Sequence, residues 1–491
     1  MKIETDIAVV GGGTAGWLAA LYSNLYYPNT SITVVASEEI GILGAGEGTT
    51  PGFVKTLEKL NISPQEVISK CKGTIKVGIE FKNWHGDGTS FFHPFSSFSS
   101  SKFCFNSIKK EELAYTISKK EKVWGLSEHA YLASAGKVPF AFDTPEQLTN
   151  KAFYALHFDA VLLAKYLKEV ALKRGINYID AVVEDVILSE NKNVSELHLS
   201  TSQTVHPKFV FDCSGLRRLI IGGKLEAEWV SYSDTLKTNK AMPFFVPHNN
   251  DTKPVTTAIA MKYGWVWQIP VQDRYGCGYV FDNTKVGVAE ARKEVEEYFG
   301  ISITNDKVFD YSPGCYKTPL VSNCLAVGLA HSFLEPMEAT SIWMTCMMLN
   351  YFLSRGGPNH NIALFNREFN DKFYSITSEF KDFIALHYKT NRTDTTFWEE
   401  VSIMPIPIVE DYIEALNCNL AYPLPVQNFE RYSWVLFLDE LGYLNTNSIA
   451  NQIPAKDTDR LSYWFDSIKK ELHKSPERHI SHKQLINIVT G

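Results

Sequence analysis

Several features are missing from this 491-residue sequence, and each absence removes a class of protein. Eight cysteines are present, but no two form a Cys-x-x-Cys pair and no spacing matches a zinc site. No metal site is predicted, and reduced, mostly buried thiols in a cytoplasmic protein are expected. The longest apolar run, roughly Ala339 to Leu353, is broken by Thr340, Ser341, Thr345 and Asn350. It falls short of the ~18–20 residues a membrane span needs. Lysine and arginine are scattered and the net charge is −7, which argues against nucleic acid as a partner. The opening Lys2, Glu4 and Asp6 precede a strand, so no secretory signal is expected. No repeat, low-complexity tract or linker interrupts the chain, which predicts interlocked rather than beaded organisation.

What is plentiful is aromatic. Hydrophobic residues make 45% and charged residues 21%, a globular composition. The 10 Trp, 23 Tyr and 30 Phe exceed what the core requires. That surplus favours pockets lined with flat side chains.

The first fifty residues read as strand, glycine turn, helix, strand. Asp6-Ile7-Ala8-Val9-Val10 is an apolar strand, Gly11-Gly12-Gly13-Thr14-Ala15-Gly16 opens a helix, and Ser31-Ile32-Thr33-Val34-Val35 is the next strand. Glycines in this place serve a tight turn, close approach to a pyrophosphate and packing of helix on strand. The helix N-terminus then faces the negative charge. Two further strands run into small-residue turns, Phe209-Val210-Phe211-Asp212-Cys213-Ser214-Gly215 and Asn323-Cys324-Leu325-Ala326-Val327-Gly328. Spread this far apart, they suit an FAD fold interrupted by other structure. A ribose-binding acid is expected about 20 residues after the glycines, where Ala36 stands. Ser37 or a displaced Glu38 is left for that contact.

Four segments carry the chemistry. They are the glycine loop Gly44-Ala45-Gly46-Glu47-Gly48-Thr49-Thr50-Pro51 and the strand-like Gly73-Thr74-Ile75-Lys76-Val77-Gly78. With them stand Gly264-Trp265-Val266-Trp267-Gln268-Ile269-Pro270 and Phe333-Leu334-Glu335-Pro336-Met337-Glu338-Ala339-Thr340-Ser341-Ile342. Together they resemble the flavin-dependent halogenases, most closely the tryptophan halogenase branch, from Ile3 to about Trp398. The resemblance implies a Rossmann-like α/β FAD-binding fold of the monooxygenase and halogenase type over residues 1–350, with a substrate-side insertion at about 85–155. A smaller, mainly helical subdomain is expected over 351–491.

The resemblance also implies a reaction. Reduced FAD and dioxygen give a flavin hydroperoxide, a halide (chloride, bromide or iodide) attacks it, and the resulting hypohalous acid travels to a lysine beside an electron-rich aromatic substrate. Lys76 matches that lysine, although a lysine at a strand edge more often lifts its ammonium to water. Glu338 matches the base that takes the ring proton; the plainer reading is an acid at a helix start. Thr340 and Ser341 match the halide site. FAD contacts fall on Gly11, Gly13, Thr14, Ala15, Gly16, Ser37, Glu47, Gly48, Val183, Gly328, Leu329 and Ile342. Trp265 and Trp267, which share one face of a strand by their i, i+2 spacing, match residues shielding the flavin. His93 and Phe95 fall where the family stacks its substrate.

The departures from the family are as informative. Ala339 stands where serine is common and Ser341 where glycine is common, so a reshaped halide pocket favouring bromide or iodide is expected. Only the proline-rich stretch from Glu399 to Ser433 separates Trp398 from Trp434. The tyrosine pair, acid and tryptophan that clamp free tryptophan have no counterpart there, so a small aromatic other than free tryptophan alone is expected. No second nucleotide motif offers NAD(P)H a place, which assigns flavin reduction to a separate reductase. A homo-oligomer is compatible with all of this. The rival readings are a monooxygenase that hydroxylates an aromatic and a non-catalytic FAD-binding protein.

Overall fold

The apolar stretch at the start of the chain becomes a central strand because it is covered on both faces, the condition under which parallel strands lose their alternation. In the computed structural model, which describes residues 1–41, 46–95, 108–141, 153–249, 251–304, 307–359 and 363–491, contacts group the chain into two compact units. The first comprises Met1–Lys72, Phe158–Asp234 and Asp310–Ser378; the second comprises Gly73–His157, Thr235–Phe309 and Glu379–Gly491. Each is built from three separated stretches, so no linker marks either in the sequence. The expected domain limit at residue 350 falls inside the helix Thr340–Leu353, and the expected insertion at about 85–155 lies within the second unit.

In the first unit the strand Lys2–Val10 lies between Ile32–Ala36 and Thr204–Asp212, parallel to both, with Val10 opposite Val35 and Asp212. Cys324–Ala326 extends the sheet parallel to Thr204–Asp212, and Asn177–Asp180 extends it on the other side. The parallel strands therefore end level at Val10, Ala36, Asp212 and Ala326. In an open α/β sheet that is the ligand-binding end. The helices Thr14–Tyr26, Ala160–Lys173 and Thr340–Leu353 belong to the same unit.

The turn after Asp212 depends on that residue. Its carboxylate is fully buried and accepts from the N–H of Ser214 (3.0 Å), Ile220 (2.9 Å) and Ile221 (2.9 Å) and from the Ser214 hydroxyl (2.6 Å). An anion at this strand end is thus consumed by backbone donors.

The second unit holds a mostly antiparallel sheet in which Lys240–Val246, Tyr275–Phe281, Gly264–Pro270, Thr256–Ala260, Gly78–Lys82 and Ser90–Pro94 follow in order. Only Thr256–Ala260 and Gly78–Lys82 pair in parallel along this run. Met242, Phe244, Val266, Tyr279 and Phe281 pack with Ala291 and Val295 of the helix Val288–Phe299. Helices Pro407–Cys418, Arg431–Glu440, Thr458–Lys474 and His482–Thr490 supply the helical part anticipated near the end of the sequence. The described cysteines are all unpaired, and Cys418 alone among them is exposed. Among the described residues no helix is long and apolar enough to cross a membrane.

Replacing Asp212 by alanine strands two N–H groups in the core, at about 1–3 kcal/mol each. Asp212→Ala should therefore lose roughly 3 kcal/mol or more in urea unfolding of the flavin-free protein. A loss below about 1 kcal/mol would show the carboxylate to be dispensable.

Candidate active site

Gly11 sits at φ +122°, and a Cβ there would lie 2.2 Å from the Cys213 carbonyl oxygen. A Cβ on Gly16 would lie 1.9 Å from the Gly11 oxygen, so the helix can start only if both positions lack a side chain. Gly13 is the N-cap of helix Thr14–Tyr26, with no side chain capping the first turn, and a Cβ on it would meet nothing within 4 Å. The turn is closed on the strand side and open on the other. Its unpaired N–H groups suit the pyrophosphate of a dinucleotide. The chain thus fits FAD at this end of the sheet by its own geometry.

The other expected cofactor positions in this unit are distributed around that end. Gly328, at φ +64°, approaches so closely that a Cβ would stand 2.7 Å from the Ala15 Cβ. Leu329 follows it in a short turn, and Ile342 lies in the first turn of Thr340–Leu353. Ser37 is partly exposed and accepts from the Glu39 N–H at 3.3 Å. Glu38, its alternative, is ion-paired with Lys168 at 2.8 Å. Val183 packs in the apolar cluster with Val35 and Ala181. Of the glycine loop, Gly44 and Ala45 lie outside the described residues, whereas Glu47 and Gly48 form a short strand. The Glu47 Oε2 atom is buried without a protein partner. Burial first, and the nearby Asp159 charge second, raise this carboxyl to about 7.

Glu338 and Ala339 carry the least common backbone of the site, at φ +61° and +53°. Left-handed backbone costs a non-glycine residue roughly 1–2 kcal/mol. Ala339 is left-handed and Thr340 right-handed. Such a pair turns successive N–H groups toward one side, the arrangement that holds small anions. No side chain caps the helix that begins at Thr340. Glu338 and Thr340 are buried at 4% and 5% exposure, while Ser341 is exposed.

In the second unit Lys76 ends the strand Thr74–Lys76 and is 1% exposed, with Ile75 and Val77 wholly buried beside it. Its ammonium lies 5.3 Å from the centre of the Phe95 ring. The Val77 N–H donates to the Pro254 oxygen (2.8 Å) and the Val77 oxygen accepts from the Phe95 N–H (3.0 Å), so Lys76 and Phe95 are held on adjoining backbone. The neighbouring His157 is wholly buried; its Nδ1 is 3.1 Å from the Thr74 hydroxyl and its Nε2 is 2.9 Å from that of Thr256. The Thr74 hydroxyl donates to the Pro270 oxygen at 2.6 Å, so Nδ1 donates to Thr74 and Nε2 accepts from Thr256. Burial first, then the Lys76 charge, hold His157 well below the usual imidazole pKa.

His93 is fixed by a residue that no local pattern announces. Its Nε2 lies 2.9 Å from the Ser433 hydroxyl, and its ring meets Phe437 edge-on at 5.1 Å. Trp265 and Trp267 lie 6.5 Å apart on one face, as their spacing predicts. The Trp267 ring occupies the space over Gly278, where a Cβ would come within 2.0 Å of it.

A parallel sheet with an open glycine turn at its ligand-binding end defines a nucleotide-binding α/β protein. Comparison with known proteins gives the family. The tryptophan halogenase family profile matches residues 6–448, and the chain belongs to that family. It is 32% identical over 429 residues to tryptophan 7-halogenase RebH of Lentzea aerocolonigenes, covering 81% of this chain and 78% of that protein. It is 28% identical over 468 residues to tryptophan 6-halogenase ThaL of Streptomyces albogriseolus, covering 88% and 85%. Among solved structures it resembles BrvH, a flavin-dependent halogenase from Brevundimonas sp. BAL3, with 26% identity, a TM-score of 0.86 and 99% of both chains covered. The protein is therefore an enzyme of the flavin-dependent halogenase class, and its family implies FAD and a halide ion.

The raised Glu47 carboxyl has a consequence for stability. A carboxyl whose pKa is higher in the folded than in the unfolded protein binds its proton more tightly when folded, so stability falls as pH rises from the ordinary carboxylate range to about 7. Glu47→Gln mimics the protonated form and should gain on the parent across that window. Thermal unfolding of the flavin-free proteins at about pH 5 and about pH 8 checks this. An equal difference in Tm at both pH values would remove Glu47 as the source.

Proposed function

We propose that this enzyme halogenates small electron-rich aromatic compounds, with Lys76 delivering the halogen and Glu338 accepting the ring proton. The observation that carries this reading is Lys76 itself, a cation held at 1% exposure on a strand, against an aromatic ring. A cation is costly to bury, and a lysine at a strand edge more often lifts its ammonium to water. When bound, reduced FAD supplies the two electrons with which dioxygen oxidises halide to hypohalous acid, and a separate reductase supplies the reduced flavin.

At Lys76 two routes are open. The ammonium donates a hydrogen bond to the oxygen of the hypohalous acid and makes its halogen more electrophilic. Alternatively the neutral amine displaces water to give a haloamine, R–NH2 + HOX → R–NHX + H2O, which passes its halogen to the ring and is regenerated. In both, the arene donates an electron pair to the halogen and must then lose a proton. A buried carboxylate is a suitable acceptor, and Glu338 fills that role. Ahead of this chemistry, the N–H groups of Thr340 and Ser341 hold the halide at the uncapped helix start. Trp265 and Trp267 exclude organic substrate from the flavin side, and His93 and Phe95 flank the substrate ring. Stacking there contributes about 0.5–1.5 kcal/mol per aromatic pair.

The use made of the stretch before Trp434 supports the substrate reading. Glu379 accepts from the N–H groups of Gln427 (2.9 Å), Asn428 (3.0 Å) and Phe429 (3.0 Å) and from the Asn428 side chain (3.1 Å). Phe429 stacks on Phe383 at 3.9 Å. A carboxylate so engaged with backbone is not offered to an amino group. That supports an aromatic substrate without the amino-acid handle.

Lys76→Ala should abolish halogenation while flavin oxidation and peroxide release continue, because the lysine acts after the oxidant is made; product at the parent rate would remove it from the relay. Glu338→Gln keeps the shape and loses the base, which should lower turnover about 100- to 10,000-fold. Mass spectrometry of phenols, indoles and anilines incubated with FAD, a generic reductase and each halide tests substrate and halide together. Several small arenes should exceed free tryptophan. Bromide or iodide should serve at least as well as chloride, because the larger halides shed water and oxidise more readily and Ala339 and Ser341 alter the site. A clear preference for tryptophan and chloride would overturn both statements.

A further inference from the structure

The strand that carries Lys76 is held by a side chain 407 positions away in the sequence. The Ile75 N–H donates to Nε2 of His482 at 3.1 Å. Nδ1 of the same ring lies 2.9 Å from the Thr252 carbonyl oxygen. A carbonyl can only accept, so Nδ1 carries the proton and Nε2 is free to receive the Ile75 N–H. One neutral tautomer therefore uses both ring nitrogens, and His482 is 2% exposed. Burial, ahead of any neighbour, lowers its pKa to about 4, so the ring stays neutral at working pH.

His482 is itself seated firmly. The Val138 N–H donates to the Ile480 oxygen (3.1 Å), the Ile480 N–H to the Phe140 oxygen (3.1 Å) and the His482 N–H to the Gly136 oxygen (2.9 Å). Ser481 and Gln484 cap the helix His482–Thr490 reciprocally, at 3.1 and 2.9 Å. These residues all lie in the second unit with Lys76. The stretch after residue 448 lies outside the family profile match, yet it supplies the acceptor for the peptide N–H one residue before the reactive lysine.

We propose that His482 is a positioning residue for Lys76. By accepting the Ile75 N–H it fixes the backbone from which the lysine side chain departs, and so sets how much of the hypohalous acid becomes halogenated product. The inference rests on the role assigned to Lys76 above. A lysine displaced by about an ångström loses alignment worth on the order of 100-fold in rate. Hypohalous acid would still form, but it would escape.

Two substitutions in the full-length protein separate anchoring from positioning. In His482→Asn the shorter amide occupies the place of Nδ1, keeps the bond to Thr252 and cannot reach Ile75. In His482→Gln the longer amide reaches both partners. With FAD, reductase, bromide and a phenol, flavin oxidation should be unchanged in both. Halogenated phenol per flavin oxidised should fall about 10- to 100-fold in His482→Asn, with the missing oxidant recovered on a 1,3-diketone scavenger, and should return in His482→Gln. Hydrogen exchange of the Ile75 amide should accelerate in His482→Asn alone. Unchanged product yield in His482→Asn, or failure of His482→Gln to restore it, would overturn the proposal. Should His482→Asn not fold, rapid exchange of the Ile75 amide in the parent protein would overturn it instead. Failure of the Lys76 reading shows separately, as halogenation by Lys76→Ala, and leaves the exchange difference intact.

Discussion

A lysine ammonium taken out of water is costly, and the second unit holds one at the end of a buried strand. Lys76 is 1% exposed between apolar neighbours. Three of the buried histidines of this unit, His129, His157 and His482, are held neutral by that burial. Burial pushes His129 and His482 down to about 4 and His157 well below the ordinary imidazole value. For His157 the Lys76 charge adds to the effect. Threonine hydroxyls satisfy the His157 ring, and the Thr252 carbonyl and the Ile75 N–H satisfy that of His482, so polarity is present there without net charge.

The first unit solves a different problem with related means. Its sheet end carries an open, uncapped helix start suited to an anion, yet Asp212 places a carboxylate beside it. The Ser214, Ile220 and Ile221 N–H groups absorb that charge, while the N–H groups at Gly13 are left without a side-chain cap. Backbone donors are allotted to one anion of the protein and reserved for another. The helix at Thr340 likewise begins without a side-chain cap, after left-handed Ala339.

Much of the first unit could be read from the sequence because its information is local. An apolar strand, six residues rich in glycine, and a helix announce the nucleotide-binding half; the strand expected at 6–10 is present and starts earlier, at Lys2. The shared face of Trp265 and Trp267 followed from their spacing alone. Three features had no such mark. Met337, Glu338 and Ala339 are among the better helix formers, and nothing in them foretells left-handed backbone; tertiary context overrides the preference. Ser433 is one serine in a helix, and its meaning lies in a contact with His93, 340 residues away. His482 is similarly silent. The two interleaved units were equally hidden, since each draws on three stretches with no compositional seam between them.

The distance along the chain between Ile75 and His482 has a bearing on biosynthesis. The strand holding Lys76 leaves the ribosome early, but the imidazole that accepts the Ile75 N–H follows 407 residues later. Domains generally form as they emerge, at roughly 5–20 residues per second. For tens of seconds, then, a nascent chain can carry Lys76 without its final anchor. On the proposed role of His482, halogen transfer would mature late, and a chain stalled before residue 482 could generate oxidant it cannot direct. On that role, control of the oxidant is completed only with the helix His482–Thr490.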